Sequence, residues 1–551
     1  MEGRPNFPLL LALFLLSAAA VPLSWIGWHG HVPVSDATYL AVKSVEGNAA
    51  YESVGETHPG NLALEAGRFL GLFVEPIAFL VLFISLSRQN LLRVWASFKR
   101  HHIIVVGESA FADKLSESHG TPIVHLRGIE DEVHQKGPLI RLPFGGFNAN
   151  DLHAAGARNA TRIVIACEDD GQSIDLATAI HRLFPKSQVN VRIKDVWLAD
   201  QIHNAAGAER LYAFSEYGLA ARYAVRSWPP YLIAGDNGLT AIHLLLMGEH
   251  DAIEALLSET LIAAKTLTFG RAIFSIVCLQ PEMFRARLLS RYPEIEAEAE
   301  LHFHKIQHLD GHEVVFTDIE TLEEPAPVTA AYCLYAEGAK SLASALGFTQ
   351  RVRDYPSFKA PIFVLHGAEG MSRPAAGARL APLRLIPFGS MEDLAKASGV
   401  LSIGVEFAER AYHEAYLTFS DVTGDAAAPW ESLKEEYRLS NRRAVAHIPA
   451  KLFDAGIDIR EWMEGADIWT SLPHLPAGTT FAEDDPKRER LAKLEHERWI
   501  ADRRLSGWRF GETRDNLRKI HPDIRPFDEL KPEIQAYDRA LVDVIGKMLV
   551  K

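Results

Sequence analysis

The sequence predicts a multidomain membrane protein: two N-terminal transmembrane helices, then two doubly wound α/β domains, then an all-α C-terminal region. Three observations carry this. Two apolar stretches of bilayer-spanning length lie within the first 100 residues. Between His101 and Val400, short apolar runs alternate with helical patterns, twice over. After Val400 the strand-like runs stop and helical periodicity takes over. The bulk composition agrees: of 551 residues, 48% are hydrophobic and 23% charged, enough for several cores. A net charge of −14 argues against a general nucleic-acid binder. Cys167, Cys278 and Cys333 each sit in an apolar run without metal-ligand spacing, which points to a reducing compartment.

The first expected span, residues 8–28, carries no charge between Arg4 and His29. A cleaved leader competes with it, because Ser17-Ala18-Ala19-Ala20 resembles a cleavage site. The second span, residues 69–86, is followed by Arg88, Arg93, Lys99 and Arg100. By the positive-inside tendency, the N-terminus and the large C-terminal part are then cytoplasmic. Glu75, beside Pro76, lies inside that span, where a carboxylate faces a bundle interior or wet cavity, or else reaches water at the outer interface. In the intervening loop, Ser53-Val54-Gly55-Glu56-Thr57-His58-Pro59 stands where two-helix potassium channels carry TVGYGD and a proline. The pair of spans resembles that channel module, with pore candidates Ser53, Val54, Gly55, Glu56 and Glu75. The Tyr-Gly of the filter is missing, so the resemblance does not extend to potassium selectivity.

His101–Gly107 reads as a buried parallel strand ending in glycine. The dinucleotide fingerprint G-x-G-x-x-G should follow, but Gly107-Glu108-Ser109-Ala110-Phe111-Ala112 keeps only the first glycine. The next strand ends in Leu126-Arg127 where an acid should meet a ribose. Strands are also expected at 162–167 and 188–193, with Glu168-Asp169-Asp170 at the carboxyl end of the former. The order, with Asp151–Ala157 and Asp200–Ala208 in place, resembles the RCK (TrkA-N) domain over about 120 residues. That resemblance implies a Rossmann-like fold that pairs with copies of itself and converts ligand binding into a pull on a membrane helix. A second unit from Thr240 repeats the strand–glycine–helix pattern at Gly248-Glu249-His250. Gly107, Arg127, Glu168 and Gly248 are the nucleotide-binding candidates of these two units.

The most specific text is Leu491–His521. Apolar residues fall at helical spacing up to Leu505, and Gly507 stops the helix. Trp508-Arg509-Phe510-Gly511 and a basic loop follow. Aromatic faces beside arginines suit a flat anionic ligand, because the ring stacks while the guanidinium takes a phosphate. The competing reading is a helical hairpin with core tryptophans and a solvated loop. Glu495-His496-Glu497-Arg498-Trp499, Gly507–Gly511, Lys519-Ile520-His521-Pro522 and Pro526–Arg539 resemble the RyR domain, the repeat of ryanodine receptors, over about 60 residues. Phe407–Tyr416, Pro429–Leu433 and Ser440–Arg443 echo it more weakly, as a degenerate first repeat. A ligand site is expected in the second repeat or between the two.

Five segments result: a two-helix transmembrane module at 1–100, Rossmann-like domains at 101–235 and 236–400, a degenerate RyR-like repeat at 401–480, and a RyR domain at 481–551. The functional expectation is a ligand-gated, channel-like sensor in a bacterial inner membrane, assembled as a dimer or tetramer. Its ligand is a nucleotide or cyclic nucleotide, held by Trp499, Arg503, Trp508, Arg509, Lys519 and His521. Two alternatives stand beside it: an anchored sensor without a pore, and, more remotely, an NAD-linked enzyme. No nucleophile–base pair, metal spacing or P-loop points to an enzyme.

Overall fold

The computed structural model describes residues 7–43, 62–117, 122–128, 134–136, 139–143, 149–203, 210–309, 312–315, 319–366, 385–390, 393–394, 407–418, 424–460 and 481–547. The chain forms two compact units, Met1–Phe98 and Lys99–Lys551.

In the first unit, helices Phe7–Trp28, Val34–Lys43 and Leu62–Phe98 pack together. Small residues set the crossing: a Cβ at Gly27 would lie 2.5 Å from Leu64 Cβ, and one at Gly67 2.4 Å from Ser24 Oγ. Among the described residues, no helix is long and apolar enough to cross a membrane, which overturns the expectation of two transmembrane helices. The stretch 69–86 is only the middle of a 37-residue helix. The same helix carries Glu65, Arg68, Arg88 and Arg93 in its flanking turns, charges that an apolar window leaves out. Ser53, Val54, Gly55 and Glu56 lie outside the described residues, and Glu75 falls within the long helix.

The second unit contains two sheets of the same design. The first comprises β1 (Ile103–Val106), β2 (Ile123–Arg127), β3 (His134–Lys136), β4 (Leu139–Pro143), β5 (Arg162–Ile165), β6 (Gln188–Arg192) and β7 (Leu211–Phe214). Its order is β3-β4-β2-β1-β5-β6-β7, all parallel except the edge strand β3. The second comprises β8 (His243–Gly248), β9 (Ala272–Cys278), β10 (Ala299–Leu309), β11 (His312–Val315), β12 (Ala330–Leu334), β13 (Ile362–Leu365) and β14 (Leu385–Phe388). Its order is β11-β10-β9-β8-β12-β13-β14, again with one antiparallel edge strand, β11. Numbered along the chain, the parallel strands run 3-2-1-4-5-6 in both, the order of doubly wound Rossmann-like domains. Central strands β1 and β8 are buried along their whole length, which is why they read as uninterrupted apolar runs.

The C-terminal segments fold as two similar helical pairs. Helix Phe407–Tyr416 packs on Glu435–Ala446, as Pro486–Leu505 packs on Pro532–Lys547. The connecting turns agree bond for bond. His413 Nε2 lies 2.8 Å from Ala428 O, and His496 Nε2 lies 2.9 Å from Arg525 O. Each carbonyl precedes a proline, Pro429 or Pro526, that caps a single 3₁₀ turn. Eight residues beyond the aromatic of that turn, Arg438 donates to Trp430 O and Gln535 to Phe527 O. The second pair is not wholly helical: Arg509–Phe510 and Ile520–His521 form a short parallel pair, a correction to the all-α expectation.

Candidate functional site

At the first sheet's switch point, Gly107 has φ +131°. A Cβ there would lie 2.3 Å from Ala166 O, so both the φ and the close backbone approach call for glycine. Ser109 takes the second fingerprint position, donating to Ala166 O at 2.6 Å and accepting from Ala112 N–H at 3.1 Å. Glu168 ion-pairs with Lys194 at 3.1 Å. Lys194, together with the Ala110 N–H, holds its carboxyl below the usual range. This largely exposed carboxylate thus lies near the helix N-terminus, where a dinucleotide places its pyrophosphate. Arg127 pairs with Asp113 at 3.1 Å, and the Glu108 carboxylate lies against Gly128, where a ribose would be read. Gly248, with φ +146°, is the counterpart in the second sheet: its Cβ would lie 2.2 Å from Leu334 O. There His250 stacks on Phe284, with centroids 4.5 Å apart.

The larger site lies between the two helical pairs. A cleft of ≈ 640 Å³ is walled by Tyr412, His413 and Tyr416 from the first helix, and Tyr437, Ser440 and Asn441 from the second. Opposite stand Glu495, His496, Arg498, Trp499 and Arg503, then Arg514, Asn516, His521 and Asp523 from the loop, and Ile534, Tyr537 and Asp538 from the last helix. Its size falls in the range of about 300–1,000 Å³ usual for small-molecule sites.

Three of the six expected residues line the cleft. Trp499 is half-buried; Arg503 lies 5.6 Å from its ring centroid and 5.8 Å from that of Trp508. His521 sits 5.1 Å from Trp499 and 5.9 Å from Trp508, centroid to centroid. Trp508 itself is buried with Ile500 and Ile524 and supports the wall from behind. Lys519, at φ +54°, donates to Ser506 O at 2.8 Å and closes the loop on the helix end. Arg509 is exposed on the short strand pair and does not line the cleft. Sequence reasoning did not single out Arg514, Tyr537 or Asp538 as site residues, nor the first-repeat wall; the basic loop and the weak echo at Phe407–Tyr416 and Ser440–Arg443 were the available signals.

Electrostatics divide the cleft into a saturated floor and an open rim. On the floor, Glu495 is buried between Lys451 Nζ at 2.6 Å and Arg498 Nη2 at 2.8 Å. Burial pushes its carboxyl up, but Arg498 and Lys451 outweigh this and bring it down to about 2. His496 faces Asp538 at 3.2 Å, and that carboxylate overcomes burial to raise the imidazole above its ordinary value. At the rim, burial and the nearby Arg514 and Arg503 push His521 down to about 4, so it is neutral at pH 7. Arg503 has Glu436 at 3.7 Å, too long for a good hydrogen bond, and keeps donor capacity toward an incoming anion.

Residues 482–551 match the RyR domain family model. No curated protein matches the chain. Among solved structures, "Crystal structure of the GsuK bound to ADP" is similar at 14% identity, over 71% of this chain and 96% of that one, with a TM-score of 0.33. "GsuK channel bound to NAD" is similar at 13% identity, over 72% and 84%, with a TM-score of 0.35. "Crystal Structure of the GsuK RCK domain" is similar at 12% identity, over 55% and 77%, with a TM-score of 0.32. The RyR match contains Trp499, Arg503, His521 and the loop between them, so most of the cleft wall lies in the matched segment.

Proposed function

We propose that the second unit is a ligand-binding regulatory module whose sensor is the cleft between the RyR domain and the helical pair before it. A nucleotide-type ligand stacks its base on the aromatic wall and sets its phosphate against Arg503 and Arg514. One observation carries the reading: the cleft combines aromatic faces and two rim arginines in a space large enough for a nucleotide. The Rossmann-like units serve as the scaffold, because the fingerprint keeps only Gly107, Ser109 stands at its second glycine and turns its hydroxyl onto Ala166 O, and the Glu168 carboxylate lies near the phosphate position.

A path for transmission begins at the floor. Arg498 meets Asp502 at 3.5 Å, Asp502 meets Arg443 at 2.5 Å, and Arg443 meets Asp200 at 3.1 Å, on helix Val196–His203 of the first Rossmann-like domain. A second chain runs from Arg504 to Glu298 at 2.5 Å, beside β10. Ligand contacts that differ between two arrangements of these charges would shift their balance.

The test is calorimetric titration of the full chain with AMP, ATP, cyclic AMP and NAD. Binding of at least one, weakened about tenfold or more by Arg503→Ala, supports the reading. Binding by none, or binding indifferent to both Arg503→Ala and Trp499→Ala, refutes it.

A further inference from the structure

The cleft lies across the relation between the two helical pairs, so its walls are chemically paired. Residues 83 apart match on the leading helices and residues 97 apart on the following ones, the offsets set by the shared His–carbonyl and proline turns. By these offsets Tyr416 corresponds to Trp499, Ser440 to Tyr537, and Asn441 to Asp538, and all six line the cleft. The packing crosses over: Phe407–Tyr416 also meets Pro532–Lys547, and Pro486–Leu505 meets Glu435–Ala446. Tyr416 accordingly lies 5.5 Å from Tyr537, centroid to centroid, across the junction.

A pseudo-two-fold cleft offers two half-sites of one plan, each with a half-buried ring on its leading helix. One ring is Trp499, beside the rim arginines; the other is Tyr416, with Tyr537 against it. A single nucleotide uses the first half-site and leaves the second to solvent. We infer that the cleft takes a ligand with two flat bases joined through phosphate, a dinucleotide, with one base on Trp499, the other on Tyr416, and the linking phosphate toward Arg503 and Arg514. The inference rests on the nucleotide reading above and specifies its ligand class. The cations stand on one side only, so the linking phosphate lies nearer the RyR domain.

The experiment compares AMP, linear 3′,5′-linked diadenosine monophosphate and cyclic diadenosine monophosphate on the purified full chain, by calorimetry. The expected result is one dinucleotide per chain, linear or cyclic, bound about tenfold or more tighter than AMP. Tyr416→Ala should bring dinucleotide and AMP affinities together, whereas Trp499→Ala should weaken both. Tyr416→Phe keeps a ring and should restore the preference, which separates stacking from misfolding, with the melting temperature as the fold check. AMP binding with no dinucleotide preference, or a preference that survives Tyr416→Ala, overturns this inference and leaves the nucleotide reading standing. No binding of any of the three also overturns this inference, and the nucleotide reading falls with it only if ATP, cyclic AMP and NAD fail to bind as well.

Discussion

Replacing Glu495 by glutamine should destabilise the second unit in a pH-dependent way. Glu495 is 1% exposed and bridges Lys451, itself buried, and Arg498. Removing its charge leaves two buried cations facing each other across an amide, a change that costs about 3–5 kcal/mol in comparable buried pairs. Titration gives a similar size. The folded carboxyl is held at about 2 against an ordinary 4.5, a difference worth about 3 kcal/mol. Because the folded value is the lower one, this stabilisation is present above pH 4.5 and is lost as the pH falls toward 2. A cooperative unit of this size has an unfolding entropy of about 1 kcal/mol/K, so the melting temperature at pH 7 should drop by about 3–5 °C. Differential scanning calorimetry from pH 7 to pH 3 should show the gap between wild type and Glu495→Gln narrowing below pH 4.5. Adding Lys451→Met to Glu495→Gln should recover part of the loss, since the orphaned ammonium is then gone. An unchanged melting temperature at pH 7, or a gap that stays constant down to pH 3, would refute the reasoning.

Gly107→Ala and Gly248→Ala each place a Cβ within 2.3 Å of a neighbouring strand's carbonyl at a φ that favours glycine. Each should cost at least about 2 kcal/mol in urea unfolding, while Gly270→Ala, in open space at φ +65°, should cost only about 1 kcal/mol. Equal losses at all three sites would contradict the close-approach account. His521, held down to about 4, should remain neutral in imidazole NMR titrations until well below pH 6, and Arg514→Ala should raise its midpoint. Since the unfolded chain protonates first, His521 subtracts from stability progressively between pH 6.5 and 4. A midpoint above 6 would mean that the ring is wetter and less influenced by its arginines than its position implies.

Much of the tertiary plan was legible in the chain because its signals are local. The buried central strands read as apolar runs, Gly107 and Gly248 marked the first turn of each sheet, and β5 and β6 fell within the expected 162–167 and 188–193. The short edge strands β3 and β11 and the strand β4 were not legible, because their pairing comes from neighbours rather than from a strong pattern of their own. The reading of 69–86 as a span failed for a related reason: an apolar window does not show that the helix continues through charged turns to Phe98.

The sequence by itself determined the repeats, the strand-ending glycines and the aromatic–arginine text of the RyR domain, since each depends on residues close in the chain. Only the tertiary structure decided what those residues do. It sent Trp508 into a small core, turned Lys519 onto the helix end, left Arg509 outside, and set Glu168 at the helix N-terminus beside Gly107. It also brought Tyr416 and Trp499, 83 positions apart, to one cleft. The physical reason is that a cavity and a buried charge are shared between segments: Glu495 is set by Lys451, and the half-site of Trp499 gains its counterpart only when the two helical pairs pack.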